Sequence, residues 1–177
     1  MNIFYLDRNP QVCAEYHCDK HVVKMILEYA QLLSTAHRLC DGIESRGSSR
    51  SGKSQVRVWK LDDERENSLY LASHVNHPSS IWTRSTSENY IWLFNLWYNL
   101  CKEYEKRYGK IHSTFTKLAS FLFSLPNNIL GGIETPIPLC MPDEYKTEDP
   151  IISYQTFYMK EKVKFATWKN GVPYWFK

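Results

Sequence analysis

One stretch, residues 13–37, constrains the fold more than any other part of the chain. Its sequence is CAEYHCDKHVVKMILEYAQLLSTAH. Apolar side chains recur in it at the spacing of a single helix face: Val22, Val23, Ile26, Leu27, Ala30 and Leu33. The pattern predicts a long helix with one buried face, against which the other elements pack.

A second, polar stripe follows the same stretch. Its members are spaced three or four residues apart: His17, His21, Lys24, Glu28, Gln31 and Thr35. Because residues at these spacings lie on one side of a helix, the six side chains should form a line. The stripe has two interpretations. It is either a solvated face of an amphipathic helix or the floor of an active site in which His21 and Glu28 are neighbours.

The histidine spacing also suggests a metal site. His17 and His21 stand four residues apart, as metal-binding imidazoles on a helix do, and Glu28 follows two turns later. The zinc-hydrolase pattern, however, requires a glutamate directly after the first histidine, where this chain has Cys18. No Cys-x-x-Cys pair occurs in the sequence. We therefore predict no metal and no other cofactor.

The rest of the sequence predicts an all-α (mainly α) fold, a single compact domain over residues 1–177. A short extended segment, residues 2–7, precedes a first helix that runs from Pro10 to about Leu39. Further helices are predicted where apolar periodicity follows capping residues, at 62–72, 85–108, 113–125 and 150–164.

Two segments are predicted to be loops. Residues 126–150 hold five of the eight prolines and should form a long structured loop. Residues 43–55 are Ser-rich and basic and should form a mobile loop. Within them, residues 47–54 read GSSRSGKS, which matches the phosphate-binding pattern G-x-x-x-x-G-K-[ST]. That pattern needs a buried strand before it and a helix N-terminus after it, so we expect contact with a phosphate backbone instead of nucleotide binding.

Two further segments carry groups suited to nucleic acid. Residues 74–84, HVNHPSSIWTR, combine polar and basic side chains in a turn before a predicted helix. The C-terminal sequence interleaves lysines with aromatic rings, which suits phosphate binding and base stacking. The alternative for the C-terminal sequence is a segment docked on the core with its lysines solvated. The predicted DNA-binding residues are His17, Gln31, Asn76, His77, Arg84, Lys164, Trp168, Lys169 and Trp175.

Composition limits the class of protein. A net charge of +3 permits a nucleic-acid partner without requiring one. Five irregularly spaced cysteines, no secretory leader and no apolar run of membrane-spanning length predict a reduced, cytoplasmic protein without a membrane partner. The sequence does not indicate an oligomeric state.

The order of these motifs resembles a known family. Asp19-Lys20-His21, with Glu28 seven residues after the histidine, is similar to the first helix of the phage pyrimidine-dimer DNA glycosylases of the endonuclease V type. In that all-helical family this helix carries a histidine and, two turns later, the catalytic glutamate. Further similarities are Asn76-His77-Pro78, the end of the central helix at 106–109, and a C-terminus rich in Trp and Tyr. The whole chain is also similar to small proteins of tailed bacteriophages, particularly those that infect cyanobacteria.

The resemblance implies a role for each residue of the stripe. Glu28 would stabilise a positively charged sugar intermediate or move protons, and His21 would orient the sugar or phosphate. In the family the nucleophile is the α-amine of residue 2, exposed when the initiator methionine is removed. Asn2 is bulky enough that the methionine should stay, which makes Lys24 the candidate substitute amine. DNA would bind with one base extruded between the first helix and residues 74–84.

Two other functions fit the same residues. A transferase in phage thymine hypermodification would displace an activated group from the base, using a carboxylate or histidine as base and cations to hold a departing phosphate. It would need no amine nucleophile, and its residues would be His17, His21, Lys24, Glu28 and Arg84. The third possibility is a non-catalytic DNA- or protein-binding phage accessory factor.

Overall fold

The fold is mainly helical, with one small sheet. The computed structural model describes residues 1–49 and 51–177, and in these ranges it contains six α-helices and two β-strands. The helices are α1 (Pro10–Tyr16), α2 (Asp19–Asp41), α3 (Pro78–Ser85), α4 (Ser87–Tyr108), α5 (Ser113–Leu122) and α6 (Pro150–Lys162). The strands are β1 (Ile43–Ser48) and β2 (Gln55–Lys60). The prediction of a mainly helical chain is confirmed, whereas a purely α fold is wrong.

Helix α2 lies at the centre and packs against α3, α4 and α5. Its apolar face is enclosed, with Ile26, Ala30 and Leu33 fully buried. The Trp97 indole of α4 donates a hydrogen bond to the Ile26 carbonyl at 3.0 Å. Leu27, another residue of the predicted apolar stripe, is 40% exposed, so the stripe is only partly buried.

The predicted first helix is interrupted at residues 17–18, which are extended and separate α1 from α2. The interruption leaves carbonyl groups at the end of α1 without helical partners. Arg107 of α4 satisfies two of them, donating to the carbonyls of Glu15 and His17, each at 2.8 Å. A single helix would bond these carbonyls internally, so this long-range guanidinium stabilises the break.

The predicted mobile loop at 43–55 begins as a strand instead. Strands β1 and β2 form an antiparallel hairpin, with register from Ile43 opposite Lys60 to Ser48 opposite Gln55. The phosphate-binding pattern at 47–54 spans the hairpin tip, so β2 and not a helix follows it. Arg50, which belongs to both segments, lies outside the described residues.

The helix predicted at 62–72 is wrong. This segment contains one 3-10 turn, Glu64–Asn67, and continues in irregular structure. Arg38, a buried arginine of α2, stabilises this irregular conformation because it binds backbone carbonyl groups that a helix would use internally. Its guanidinium donates to the carbonyl oxygens of Trp59, Glu66, Leu69 and Tyr70, at 2.7–3.0 Å.

Residues 78–85, predicted to lie in a turn, form helix α3, because Pro78 suits a first helical turn and His77 caps it. The helices after α3 follow the prediction closely. Thr86 accepts a hydrogen bond from the Asn89 amide at 3.2 Å and caps α4, which ends at Gly109 with φ at +67°. Asp149 caps α6 in the same way. Residues 126–149 form a long irregular segment with one 3-10 turn, and Asn89 anchors it through two 2.8 Å hydrogen bonds to Thr135. No helix in the described part of the chain is long and apolar enough to cross a membrane.

Candidate functional site

The polar stripe of α2 is divided by burial into three parts. His17 lies in the extended break before α2, so it is not on the helix face, and it is fully buried, as is Thr35 at the other end of the stripe. Lys24, Glu28 and Gln31 between them reach solvent. His21 lies at the boundary, with 4% of its surface exposed. The stripe is therefore neither a uniformly solvated face nor a uniformly buried one.

His17 is a core residue. Its Nδ1 lies 2.7 Å from the Cys13 carbonyl and its Nε2 lies 2.8 Å from the Tyr29 hydroxyl. Burial lowers the pKa of His17 to about 4, so the imidazole is neutral. Both ring nitrogens are engaged, which leaves none for a metal ion. The predicted DNA contact by His17 is inconsistent with its complete burial.

His21 is enclosed by rings. Its imidazole stacks on Phe4 with 4.6 Å between ring centroids. The ring centroids of Tyr158, which is edge-on, and Phe165, which is tilted, lie 5.1 and 5.6 Å from that of His21. Burial lowers the pKa of His21 to about 3, with further lowering by neighbouring positive charges. Nδ1 is buried and, within the described residues, has no hydrogen-bond partner. A neutral imidazole with an unpartnered buried nitrogen is costly for stability, which makes His21 a candidate functional residue.

Lysines surround this imidazole. Lys20 Nζ lies 4.6 Å from the Phe165 ring centroid, and Lys162 Nζ lies 4.6 Å from that of Phe157. Together with Lys24, these ammonium groups are close enough to lower the pKa of His21. The neutral imidazole thus lies inside a positively charged rim, which suits an anionic ligand such as a phosphate.

Glu28 supplies the one carboxylate of the stripe. Its Oε1 lies 3.1 Å from Lys24 Nζ, and its side chain is 18% exposed whereas that of Lys24 is 61% exposed. A lysine becomes nucleophilic when burial favours its neutral form. Lys24 is instead solvated and paired with a carboxylate, so its environment is poorly suited to the predicted role of substitute amine.

Gln31, one turn beyond Glu28, lines an apolar pocket of about 640 Å³. This volume lies in the range of small-ligand sites. The pocket lies between α2, the hairpin and residues 70–73, which we call the Gln31 pocket. Its principal lining side chains are Leu27, Gln31, Val56, Val58, Trp59 and Tyr70.

The segment 74–84 lies against a different pocket. Asn76 and Arg84 line a cleft of about 580 Å³ between the end of α2, α3 and the hairpin, which we call the Arg84 pocket. Arg57 and Trp59 line both pockets and separate them. His77 accepts a hydrogen bond from the Ser79 amide at 3.2 Å and so caps α3. The structure therefore groups Asn76 with Arg84, but not with Gln31.

The C-terminal tail (residues 163–177) is docked on the core. Trp168 is 9% exposed, and its indole donates to the Tyr16 carbonyl at 2.9 Å. Trp175 packs edge-on against Tyr16, and Lys169 Nζ lies 4.5 Å from the Tyr108 ring centroid. These contacts match the docked-segment alternative and leave Trp168 unable to stack on a base in this conformation. Lys164 is exposed.

Sequence reasoning missed three residues near His21. Phe4 comes from the extended N-terminal segment, Lys20 from the first turn of α2 and Lys162 from the end of α6. Only Lys20 carried a usable signal, because it stands next to His21 and one turn before Lys24. Among residues 1–49 and 51–177, no group of three or more His, Cys, Asp or Glu side chains could hold a metal ion.

No protein-family model, curated protein or solved structure matches this chain.

Proposed function

We propose that this protein is a DNA-processing enzyme of glycosylase-like type that acts on an extruded pyrimidine base or its sugar. One observation carries the proposal. Three features follow one another along the stripe. His21 is an enclosed neutral imidazole with an unpartnered nitrogen, and Lys24 and Glu28 form an exposed ion pair one and two turns later. Gln31, one turn further, lines an apolar pocket. These are the parts that an enzyme acting on a flipped nucleotide requires.

The positively charged rim supports binding of the DNA backbone. Lys20, Lys24 and Lys162 place three ammonium groups around His21. Lys20 and Lys162 can each replace a counterion at a phosphate, which favours DNA binding at low salt, whereas the charge of Lys24 is offset by its pair with Glu28. The His21 ring lies among these lysines without adding charge, and its buried Nδ1 would reach a phosphate or sugar only if the enclosing rings moved.

The Gln31 pocket supports the extrusion of a base. Its walls include the aromatic rings of Trp59 and Tyr70, which offer apolar surface to a flat heterocycle. The Gln31 amide carries both donors and an acceptor, as recognition of a base edge requires. Glu28 lies one turn away on the same helix face, where the sugar of such a base would lie.

Glu28 is the proposed catalytic carboxylate. In a glycosylase it would stabilise positive charge on the sugar as the bond to the base breaks, or move the proton of the attacking group. The neighbouring Lys24 holds the carboxylate in position through their 3.1 Å ion pair.

The environment of Lys24 favours a second candidate function. A glycosylase that forms an imine needs a neutral amine, and Lys24 is exposed and ion-paired. A transferase that displaces an activated group from a thymine methylene needs no such amine, and the lysine rim would hold the departing phosphate. In this case Glu28 would act as the general base.

Replacing Glu28→Gln tests the proposal. We expect the variant to bind duplex DNA at low salt with wild-type affinity, measured by fluorescence anisotropy, and to lose turnover. The matched control is Glu105→Gln, which removes the carboxylate of another exposed helical lysine pair, Lys102–Glu105 at 3.2 Å. This control should keep both binding and turnover.

Mass spectrometry of the nucleosides after incubation identifies the reaction. A released base or a strand nick indicates a glycosylase, and a heavier nucleoside indicates a transferase. Wild-type protein that binds no DNA at low salt would exclude both enzymes. DNA binding by the wild type without any product would leave a non-catalytic DNA-binding accessory factor. Full turnover by Glu28→Gln would refute the catalytic role of Glu28 while the protein remained an enzyme.

A further inference from the structure

The strongest unexplained group outside the α2 stripe is the guanidinium of Arg84. It is half-buried at the end of α3 and lines the Arg84 pocket. Among residues 1–49 and 51–177 it donates one hydrogen bond, from Nη1 to Ser80 Oγ at 3.1 Å, and no carboxylate lies within ion-pair distance. A guanidinium has five N–H donors, so most of its hydrogen-bonding capacity is not used by the described protein groups and is available to a ligand in the pocket that Arg84 lines.

Three other buried or half-buried arginines, in contrast to Arg84, have carboxylate partners. Arg38 pairs with Glu66 at 2.6 Å, Arg65 pairs with two aspartates, and Arg107 pairs with Glu103 at 2.9 Å. Removing a charge from water is costly unless an opposite charge or several hydrogen bonds offset it. Burial lowers the pKa of Arg84, which reflects this uncompensated cost. An anionic ligand in the pocket would supply the missing partner.

We propose that the Arg84 pocket binds a phosphate-bearing ligand of nucleotide size, with Arg84 as its anion-binding residue. The cleft volume of about 580 Å³ lies in the range of small-molecule sites. The planar guanidinium fork matches the oxygen geometry of a phosphate and holds it by two parallel hydrogen bonds. The inference is independent of the catalytic role proposed for Glu28.

Other lining groups fit such a ligand. Asn76 is exposed at the cleft and offers amide donors, while Trp59 forms an aromatic wall whose ring centroid lies 5.2 Å from the Arg57 guanidinium carbon. Asn128 is held in place, because its backbone and side-chain amides donate to Asp41 at 2.9 and 3.2 Å. A nucleotide would thus meet donors at its phosphate and an aromatic surface at its base.

One residue that lines the cleft carries a negative charge, which would repel an anionic ligand. Glu44 of β1 lies in the cleft and is paired with Arg57 at 3.6 Å, with both side chains about half exposed. The pair is close to neutral as a unit, so Arg84 remains the source of net positive charge. Removing the Glu44 carboxylate should strengthen anion binding, which gives the proposal a second prediction of opposite sign.

Isothermal titration calorimetry of the full chain with inorganic phosphate, thymidine 5′-monophosphate and thymidine tests the site. We expect the two phosphate-bearing probes to bind and thymidine to bind much more weakly. Arg84→Gln should weaken phosphate binding about tenfold, the effect of losing one charge-assisted contact. Glu44→Gln should tighten it, and Arg8→Gln, an exposed arginine outside the cleft, should leave it unchanged.

A second readout uses the wild-type protein alone. Cys40 lines the cleft, whereas Cys140 does not. Thymidine 5′-monophosphate should slow alkylation of Cys40 by iodoacetamide and leave that of Cys140 unchanged, as measured by peptide mass spectrometry. This comparison does not depend on the folding of any variant.

A short DNA duplex distinguishes the two sources of phosphate. If the duplex displaces thymidine 5′-monophosphate and Arg84→Gln weakens both, the cleft takes a phosphate of the DNA backbone. If the duplex does not compete, the cleft takes a free phosphorylated molecule. The proposal is overturned if neither phosphate probe binds the wild type, or if Arg84→Gln binds them as tightly as the wild type does.

Discussion

The Nε2 atom of His17 lies 2.8 Å from the hydroxyl of Tyr29, in a part of the core that solvent does not reach. Since Nδ1 donates to the Cys13 carbonyl, Nε2 accepts a hydrogen bond from the tyrosine hydroxyl, and the ring is neutral. His21 and His37 are also enclosed. Burial is the main cause that lowers all three pKa values, to about 4 for His17, about 3 for His21 and about 4 for His37.

These three histidines make the stability of the fold depend on pH. Each has a folded-state pKa below its ordinary value near 6.5, so the unfolded chain binds more protons between those limits. Their contribution to stability is complete above about pH 6.5 and is lost as the pH falls toward about 4. We expect the free energy of unfolding, measured with urea, to fall by several kcal/mol between about pH 7 and about pH 5. A constant value over this range would contradict the assigned neutral histidines.

Replacing His21→Phe should reduce this pH dependence by up to about a third, because it removes one of the three histidines whose pKa is lowered most, while the smaller shifts of His77 and His112 remain. At neutral pH the change should cost little stability, since it removes an unpartnered buried nitrogen and keeps a ring stacked on Phe4. The proposed DNA-processing activity should be lost as well. Urea unfolding at several pH values gives the result, and His74→Gln, an exposed histidine, should leave the pH dependence unchanged.

The ion pair between Arg38 and Glu66 should contribute to the free energy of unfolding. Glu66→Gln leaves a buried guanidinium without its counterion, although its backbone carbonyl partners remain. We expect a loss of about 1–3 kcal/mol in the free energy of unfolding, near the lower end for broken buried pairs because the Glu66 side chain is 32% exposed. Glu64→Gln, an exposed neighbour without an ion pair in the described chain, should change it by less than about 0.5 kcal/mol.

The sequence predicts those parts of the fold that depend on local signals. Apolar spacing and caps located the start of α1, the end of α2, and the helices α4, α5 and α6 to within a few residues, because helix periodicity and capping are encoded by neighbours in sequence. The failures at residues 17–18 and 62–72 both trace to buried arginines, Arg107 and Arg38. Each gathers carbonyl groups from distant segments, and no local pattern reveals where such a guanidinium will lie.

The candidate site was predictable along α2 only. The order of His21, Lys24 and Glu28 follows from helical spacing, so their common face is a local property. The approach of Lys162 and Phe4 to His21 is a result of tertiary packing between the two ends of the chain. For the same reason the sequence could not show that Asn76 and Arg84 line a pocket separate from Gln31.

Asp19 holds the C-terminal tail. Its carboxylate accepts hydrogen bonds from the Lys169 amide and the Thr167 hydroxyl, both at 3.2 Å, and from Arg107. Asp19→Asn weakens these charge-assisted bonds, so we expect the tail amides to exchange hydrogen at least about tenfold faster. Mass-spectrometric hydrogen exchange measures this, with Asp143→Asn, another aspartate paired on the surface, as control. Unchanged exchange in residues 163–177 would show that the aromatic contacts alone dock the tail.

Lys20 and Lys162 should set part of the salt dependence of DNA binding. Each ammonium that neutralises a phosphate releases counterions, so removing one should reduce the slope of log K against log salt by about 0.9 for duplex DNA. We expect Lys20→Gln and Lys162→Gln each to produce this reduction, measured by anisotropy over a salt series. Lys110→Gln, an exposed lysine after α4, should not. A slope that stays at its wild-type value in both variants would place the DNA backbone away from His21, and the α2 stripe would then lose its proposed contact with phosphate.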